Sequence, residues 1–315
     1  MLGLIVRRLL SLIPLLLIVS FVVFSLTYLL PGDPATTIAG GENASPQEII
    51  RVRHEYGFDD PLLQQYGRWL GKAVRFDFGE SELDHKSVSS QIAARLPTTL
   101  SLALCAMAVG ILLGLPLGIL AGTKPGSIRD KVDTGVASLG IAIPNFVLGI
   151  YLILIFAISL GWFPALGWEK FGDNPRGWLQ HVVLPAVALG VFAAASLARQ
   201  IRSSLIDTMD TNYVRTAWAK GSSSRRVVGK HGLKNAAIPA VTVLGLQLSV
   251  LLGGTVVIEN LFSIPGLGGY LLAAVGNNDI AVIQGVTITF VLIFVVVNLL
   301  VDISYGYFNP RVRVS

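Results

Sequence analysis

The sequence predicts an all-α membrane protein with six transmembrane helices and short amphipathic helices on its outer side. Composition is the first reason. Of 315 residues, 53% are hydrophobic and only 14% are charged, with a mean hydropathy of +0.67. A soluble domain carries roughly 25% charged residues. Segmentation is the second reason. Six windows free of Asp, Glu, Lys and Arg lie between Arg8 and Asp33, Arg95 and Lys124, Asp133 and Glu169, Arg176 and Arg199, Lys234 and Glu259, and Asp279 and Asp302. Each holds the roughly 20 mostly apolar residues that a span requires. Charge asymmetry is the third. With both termini in the cytoplasm, the inner segments are the N-terminus, 123–133, 199–235 and the C-terminus. They carry 15 of the 24 Lys and Arg but five of the 19 Asp and Glu. Seven of the nine outer bases fall in the long 31–97 segment, and long loops weigh little in the positive-inside rule.

The elements follow in order. Arg7-Arg8 before an apolar run has the form of a secretory signal. The run is too long and lacks a clear small-residue cleavage site, so it reads as an uncleaved first span. In the outer segment, Ser45-Pro46-Gln47-Glu48 is a helix start, with Ser45 as N-cap and Pro46 at the first helical position. Pro61 opens a second short helix, in which Leu62, Leu63, Tyr66, Trp69 and Leu70 recur at helical spacing. Such helices lie on the membrane face, as a lid for a partner or cavity or as a packed cap. In the second span Gly110, Gly114, Gly118 and Gly122 repeat every four residues. That stripe lets another helix approach closely, from this chain or from a second subunit. The third window exceeds a span and is predicted to end near Gly161-Trp162-Phe163-Pro164, an interfacial aromatic cluster.

Between the fourth and fifth windows stands YVRTAWAKGSSSRRVVGKHGLKNAAIPA, residues 213–240, with six bases and no acid. Tyr213 to Lys220 predicts a helix with an apolar side of Val214, Ala217 and Trp218. Gly221 stops it, because glycine adopts the left-handed C-terminal conformation readily. Ser222 to Ser224 can cap a second short helix. Its Arg225-Arg226 pair comes early, where the helix dipole does not favour cations; headgroups or an acidic partner suit it better. Topology alone accounts for the bases, but not for a helix–glycine–helix form, which predicts a docking element.

Several chemistries are excluded. No Asp, Glu, Lys, Arg or His lies deep within a span, where ion and proton relays keep them. No phosphate-binding G-x-x-x-x-G-K-[ST] occurs: Gly71-Lys72 and Gly229-Lys230 lack the upstream glycine and the following hydroxyl. Neither G-x-S-x-G nor H-E-x-x-H is present. A catalytic site is therefore not expected. The four histidines, His54, His85, His181 and His231, lie in different segments, and the lone Cys105 offers no disulfide or metal pair; no metal site is expected. The mild polar groups in the spans are Asn145, Gln247, Thr287, Thr289 and Asn298. They serve interhelical hydrogen bonding or line a weakly polar path, for which Asn145, Gln247 and Asn298 are the candidates.

The basic loop also carries a resemblance. It resembles the cytoplasmic loop of the permeases of ATP-binding-cassette importers, which reads E-A-A, three residues, Gly, then a spacer and I-x-L-P. Arg215-Thr216-Ala217 stand at the E-A-A positions, Gly221 at the glycine and Ile238-Pro239 near the end. Arg215 departs from the usual glutamate. Tyr-Val-Arg-Thr-Ala with the nearby Ala-Lys-Gly is similar to the dipeptide/oligopeptide/nickel branch. Further matches run along the chain: Leu30-Pro31-Gly32-Asp33-Pro34; Tyr56-Gly57-Phe58-Asp59-Asp60-Pro61-Leu62 with Gln65-Tyr66; Asp77-Phe78-Gly79-Glu80-Ser81; Arg95-Leu96-Pro97-Thr98-Thr99-Leu100; Ile258-Glu259-Asn260-Leu261-Phe262 into Pro265-Gly266-Leu267-Gly268; and Asn309-Pro310-Arg311-Val312-Arg313. The chain resembles the B-type permease, the subunit with the long first outer segment.

That resemblance implies the type I importer permease fold, in a bacterial plasma (inner) membrane, with alternating access and no chemistry in this chain. It implies a second homologous permease as heterodimer partner, two ATPase subunits that bind ATP and Mg, and an extracytoplasmic substrate-binding protein. The chain would divide into 1–30 (N-terminus and first span), 31–97 (outer segment), 98–308 (a five-span transport core with coupling loop 202–235) and 309–315 (cytoplasmic tail). Arg215, Thr216, Ala217, Lys220, Gly221 and Pro239 would couple to the ATPase. Glu259, Pro265, Gly266 and Gly268 would form an outer gate. The solute is a dipeptide or oligopeptide, with nickel, glutathione or haem as alternatives in the same family. A six-span exporter or channel is the more distant alternative, and an intramembrane enzyme lacks polar groups at depth.

Overall fold

Proline and glycine punctuate a chain that is otherwise helical. A computed structural model describes residues 2–25, 28, 35–36, 39 and 44–308. In order the helices are α1 Leu2–Ser25, α2 Pro46–Tyr56, α3 Leu62–Ala73, α4 Val88–Thr123, α5 Ile128–Ala142, α6 Asn145–Leu152, α7 Pro175–Met209, α8 Asn212–Ala219, α9 Lys234–Leu261, α10 Leu267–Gly276 and α11 Ile280–Phe308. Wider π-helical turns follow α6 at Ile153–Ser159 and precede α9 at Val227–Leu233. Among the described residues the only β pairing is the bridge between Glu80 and Ser87. Leu30–Pro34 and Asn309–Arg313 lie outside the described residues, as do the side chains of Arg7, Arg8, Tyr56 and Ile238.

All six predicted windows fall on helices. Among the described residues, four helical stretches are long and apolar enough to cross a membrane: Val88–Thr123, Pro175–Met209, Pro239–Leu261 and Ile280–Val301. The first window falls on α1, whose Leu12–Ser25 part is apolar. The third window departs from a single run. Ile128–Ala142 and Asn145–Ser159 are bent by 99°. Pro144 causes this: the residue before a proline is driven out of the helical region, and Ile143 is extended at φ −82, ψ 120. Helices also overrun their windows at the charged ends. α5 begins at Ile128 and carries Arg129, Asp130, Lys131 and Asp133, while α7 runs on to Met209 past Arg199 and Arg202.

The chain forms two compact units. One comprises residues 1–96 and 270–295. Here α2 starts on the expected cap: Ser45 Oγ accepts from the Glu48 N–H, and the Glu48 carboxylate accepts from the Ser45 N–H, a reciprocal capping box. In α3, Tyr66 and Trp69 turn towards α1. The Tyr66 ring lies 5.2 Å from Phe21 and 5.7 Å from Phe24, and its hydroxyl is 2.8 Å from Ser20 Oγ. Leu62 and Leu63, expected on the same apolar face, are exposed. The Asp77-Phe78-Gly79-Glu80-Ser81 motif forms a tight hairpin. Phe78 and Val88 close over Gly285, and Ser81 Oγ donates to buried Asp279 at 2.6 Å.

The second unit, residues 97–269 and 296–315, has α7 at its centre. Leu102, Ala106, Leu189, Ala193 and Ile258 form its core. The glycine stripe meets α7 of the same chain, which settles its intrachain role. A methyl group on Gly114 would sit 2.5 Å from the Ala194 carbonyl oxygen, and one on Gly118 2.6 Å from that of Ala198. Gly110 faces Ala193, and Gly122 faces Arg202 and Leu205. Backbones this close gain dispersion that lipid cannot supply.

Candidate functional site

The basic loop folds as its residues demand. α7 ends at Met209, and Thr211 Oγ1 donates to the Thr208 carbonyl at 2.6 Å. α8 then runs for eight residues and stops at Gly221, whose φ is +75. Val214 is fully buried beneath it, but Trp218 is 42% exposed, so the expected apolar side of Val214, Ala217 and Trp218 is split. Tyr213 is likewise exposed, and its hydroxyl accepts from Asn235 Nδ2 at 2.6 Å. Arg215 donates to Asp210 at 2.6 Å on the surface. Thr216 Oγ1 donates to its own helix at Asn212 O, 2.9 Å away. Ser223 precedes the short helical turn Ser224–Arg226 without a side-chain cap, so the expected serine cap is not formed. The structure thus gathers Arg215, Thr216, Ala217, Lys220 and Gly221 on one short helix and its end. Pro239 is apart, inside α9 beyond the π-helical turn.

The outer candidates form a buried knot. Glu259, which bounded an apolar window in sequence, is fully buried in the last turns of α9. Its carboxylate accepts from Thr99 Oγ1 at 2.7 Å, the Gly268 N–H at 2.7 Å and the Gly269 N–H at 3.0 Å. Thr99 Oγ1 in turn accepts from the Leu267 N–H at 2.8 Å. These are the free N–H groups that open α10, where negative charge is favoured. Pro265-Gly266 turns the chain between α9 and α10, and a side chain on Gly266 would collide with the Glu259 carboxylate. A methyl group on Gly268 would meet Val256 Cα at 2.5 Å. The resemblance marked 258–268 and, separately, the Arg95–Leu100 stretch that holds Thr99, but nothing in the sequence joined the two, 160 residues apart.

The three polar path candidates stand on different helices: Asn145 on α6, Gln247 on α9 and Asn298 on α11. Asn145 Nδ2 lies 3.0 Å from where Gly254 would carry a side chain. Gln247 Oε1 is buried and accepts no hydrogen bond. Sequence reasoning missed one polar contact here. Arg202 of α7 grips Asp130 of α5, Nε to Oδ1 at 2.5 Å and Nη2 to Oδ2 at 2.9 Å. The Ser127-x-x-Asp130 cap was the available signal, but the two partners are 72 residues apart.

Long apolar helices packed through a small-residue seam, with an exposed helix set between two of them, define a multi-span membrane transport component. The chain belongs to the family of binding-protein-dependent transport system inner membrane components: that family's model matches residues 114–314, and the N-terminal model of the same components matches residues 1–103. A putative peptide transport system permease protein of Brucella abortus (strain 2308) is 44% identical over 317 residues, covering 99% of both chains. A glutathione transport system permease protein of Escherichia coli (strain K12) is 42% identical over 313 residues, again covering 99% of each. Among solved structures, the inward-facing MetNI methionine ABC transporter matches with a TM-score of 0.57 at 21% identity, covering 70% of this chain and 96% of that one. An amino acid ABC transporter with histidines matches with a TM-score of 0.54 at 14% identity, over 70% and 94%. The fold is that of an ABC importer permease of type I, and the chain is a multi-pass inner-membrane permease.

Proposed function

We propose that this permease imports a short peptide, a dipeptide or oligopeptide, by alternating access driven by partner ATPases. The observation that carries the solute class is near end-to-end similarity above 40% to permeases named for peptides and for glutathione, itself a tripeptide. Nickel and haem are the competing solutes. The chain performs no catalysis; ATP and Mg bind to two ATPase subunits. A second permease completes the path, and an external binding protein delivers the solute.

The charge distribution favours both termini and α8 in the cytoplasm. The exposed Tyr213, Trp218 and Lys220 on and beside α8 give an ATPase cleft an aromatic and cationic surface. Buried Val214 and the Tyr213–Asn235 hydrogen bond then pass its displacement into the spans. ATP binding and release bias two conformations that differ in these contacts. Asn145, Gln247 and Asn298 supply weakly polar groups for a solute that carries amides, and Gln247 Oε1 is a buried acceptor with no hydrogen-bond donor. The Glu259–Thr99 knot with Pro265, Gly266 and Gly268 forms the firm part of an outer gate.

The test is reconstitution of the complete complex with its binding protein and a solute panel. ATP hydrolysis stimulated by di- to oligopeptides or glutathione is expected. Stimulation by nickel or haem alone would overturn the solute class. Purification without any bound ATPase would overturn the importer reading.

A further inference from the structure

We infer that Asp130 and Arg202 are a positioning pair that ties the broken third span to the coupling loop. The inference rests on the proposed ATPase coupling through 213–240. Its first support is how α5 is held. Of the fifteen residues of α5, only Asp130 and Ala137 are buried, while Ile128, Val132 and Val136 are exposed. In the first turns of this helix Asp130 is therefore the one buried side chain, while further along Gly140 packs against Val191 and Ala195 of α7. Four contacts converge there. Arg202 makes a two-pronged bond, the Gly126 N–H donates to Oδ2 at 2.8 Å, Thr134 Oγ1 approaches Oδ1 at 3.4 Å, and the Asp130 N–H donates to the Ser127 hydroxyl at 3.2 Å. A guanidinium fork on a carboxylate fixes orientation as well as distance.

The second support is what the same stretch of α7 touches further on. Arg202, Leu205 and Met209 are three and four residues apart and so share one face of the helix. Leu205 is fully buried, and its Cδ1 lies 2.7 Å from where Gly232 would carry a methyl group; Met209 Sδ lies 3.6 Å from that point. Gly232 belongs to the π-helical turn that follows the coupling helix. One face of α7 thus holds the coupling loop at its end and α5 seven residues earlier. Because α7 is a continuous helix, a displacement at Gly232 reaches Arg202 as a rigid movement. The ion pair hands it to the start of α5, while α6, beyond the 99° bend, also packs on α7 directly. Without the pair, the start of α5 is held to α7 by apolar packing alone, and the orientation that the fork imposes on it is lost.

A merely structural pair would lower the amount of folded complex; a positioning pair lowers the solute taken up per ATP hydrolysed. The experiment measures that ratio in the reconstituted complex for Arg202→Met, Arg202→Lys, Asp130→Asn and the double variant Asp130→Asn/Arg202→Met. Arg202→Met is expected to reduce uptake per ATP by about tenfold, within the usual range of coupling between sites. Arg202→Lys, which keeps the charge and loses the fork, is expected to fall between it and wild type. The double variant should be no worse than the more severe single one, because both remove the same link. An unchanged ratio in Arg202→Met overturns the inference, as does a double variant showing the product of the two single losses. Where Arg202→Met fails to assemble, the ratio in Arg202→Lys decides alone: reduced supports the pair, unchanged refutes it. Failure of the coupling reading itself would show differently, as a wild-type chain that captures no ATPase.

Discussion

Replacing Glu259 measures how much of the turn between α9 and α10 depends on one carboxylate. In Glu259→Ala, the Thr99 hydroxyl and the N–H groups of Gly268 and Gly269 lose their acceptor in a buried site. A buried donor left unpaired costs about 1–3 kcal/mol, and truncation also opens a cavity beneath Gly266. Because the three donors share one acceptor their costs are not additive, and about 3–5 kcal/mol is the reasonable total. Glu259→Gln keeps the volume. Its oxygen can retain the two glycine N–H groups and its amide can face Thr99 Oγ1, which leaves the Thr99 proton without an acceptor, a loss of about 1–2 kcal/mol. Thr99→Val should cost a similar amount, since it removes the acceptor of the Leu267 N–H at 2.8 Å. The assay is thermal unfolding of the purified complex in nanodiscs, with uptake measured on the same preparation. The order expected is wild type, then Glu259→Gln and Thr99→Val together, then Glu259→Ala. A Glu259→Ala protein as stable as Glu259→Gln would refute the reasoning, because it would mean that the carboxylate does not organise the start of α10.

Three further outcomes are expected. Gly114→Ala should destabilise by about 1–3 kcal/mol through overpacking, because its methyl group meets backbone at 2.5 Å, whereas Gly135→Ala, with nothing within 4 Å, should not; thermal midpoints of the two variants compare them directly. At Gly221 the space is open but φ is +75, so Gly221→Val should impair ATPase capture through strain of about 1–2 kcal/mol while Gly221→Asn retains it, as a pull-down would show. Burial, with a smaller contribution from the neighbouring Asp279 charge, pushes the Glu82 carboxyl up to about 7 from its ordinary value of 4.5. A raised acid favours the native unit while protonated, so that contribution is complete below about pH 4.5 and is lost as pH rises through 7. Exposure discounts it to the order of 1 kcal/mol, and Glu82→Gln should flatten the thermal midpoint between pH 5 and 8.

Much of this molecule could be read from local pattern. Six apolar windows, the Ser45 cap, the Gly110–Gly122 stripe and the stop at Gly221 are all signals contained in one continuous stretch of chain. What could not be read was pairing at long range. Asp130 and Arg202 are 72 residues apart, Thr99 and Glu259 160, and Ser81 and Asp279 198. Nothing in a single sequence joins such partners. The bend at Pro144 was missed for another reason: Pro97, Pro116, Pro185 and Pro239 all sit inside helices here. A proline within an apolar window therefore does not by itself distinguish a tolerated kink from a break. Glu259 stood among the gate candidates, but as the edge of an apolar window it gave no sign of being buried, with Thr99 and the N–H groups that open α10 as its partners.

The placement of these groups in the second unit follows from the solvent. A charge at mid-membrane is costly, so the strong ties sit near helix ends: Asp130 in the first turn of α5, and Glu259 two residues from the end of α9. Between the ends, α4 and α7 meet through glycine and alanine, whose contacts are close but carry no directional bond. Such a seam resists separation through dispersion and adds no hydrogen bond of its own; the bond from Trp178 Nε1 of α7 to Ser101 Oγ of α4, at 3.0 Å, lies outside it. Strong, oriented attachments at the ends and a featureless seam between them are what a helix bundle needs if a pull on α8 is to tilt whole spans without bending them. On that reasoning the polar ties set which helices move together, and the glycine stripe sets how freely they do so. A Gly118→Ala protein would then lose stability, whereas Arg202→Met would lose uptake per ATP. The two defects should combine independently, because the residues belong to different parts of the same movement.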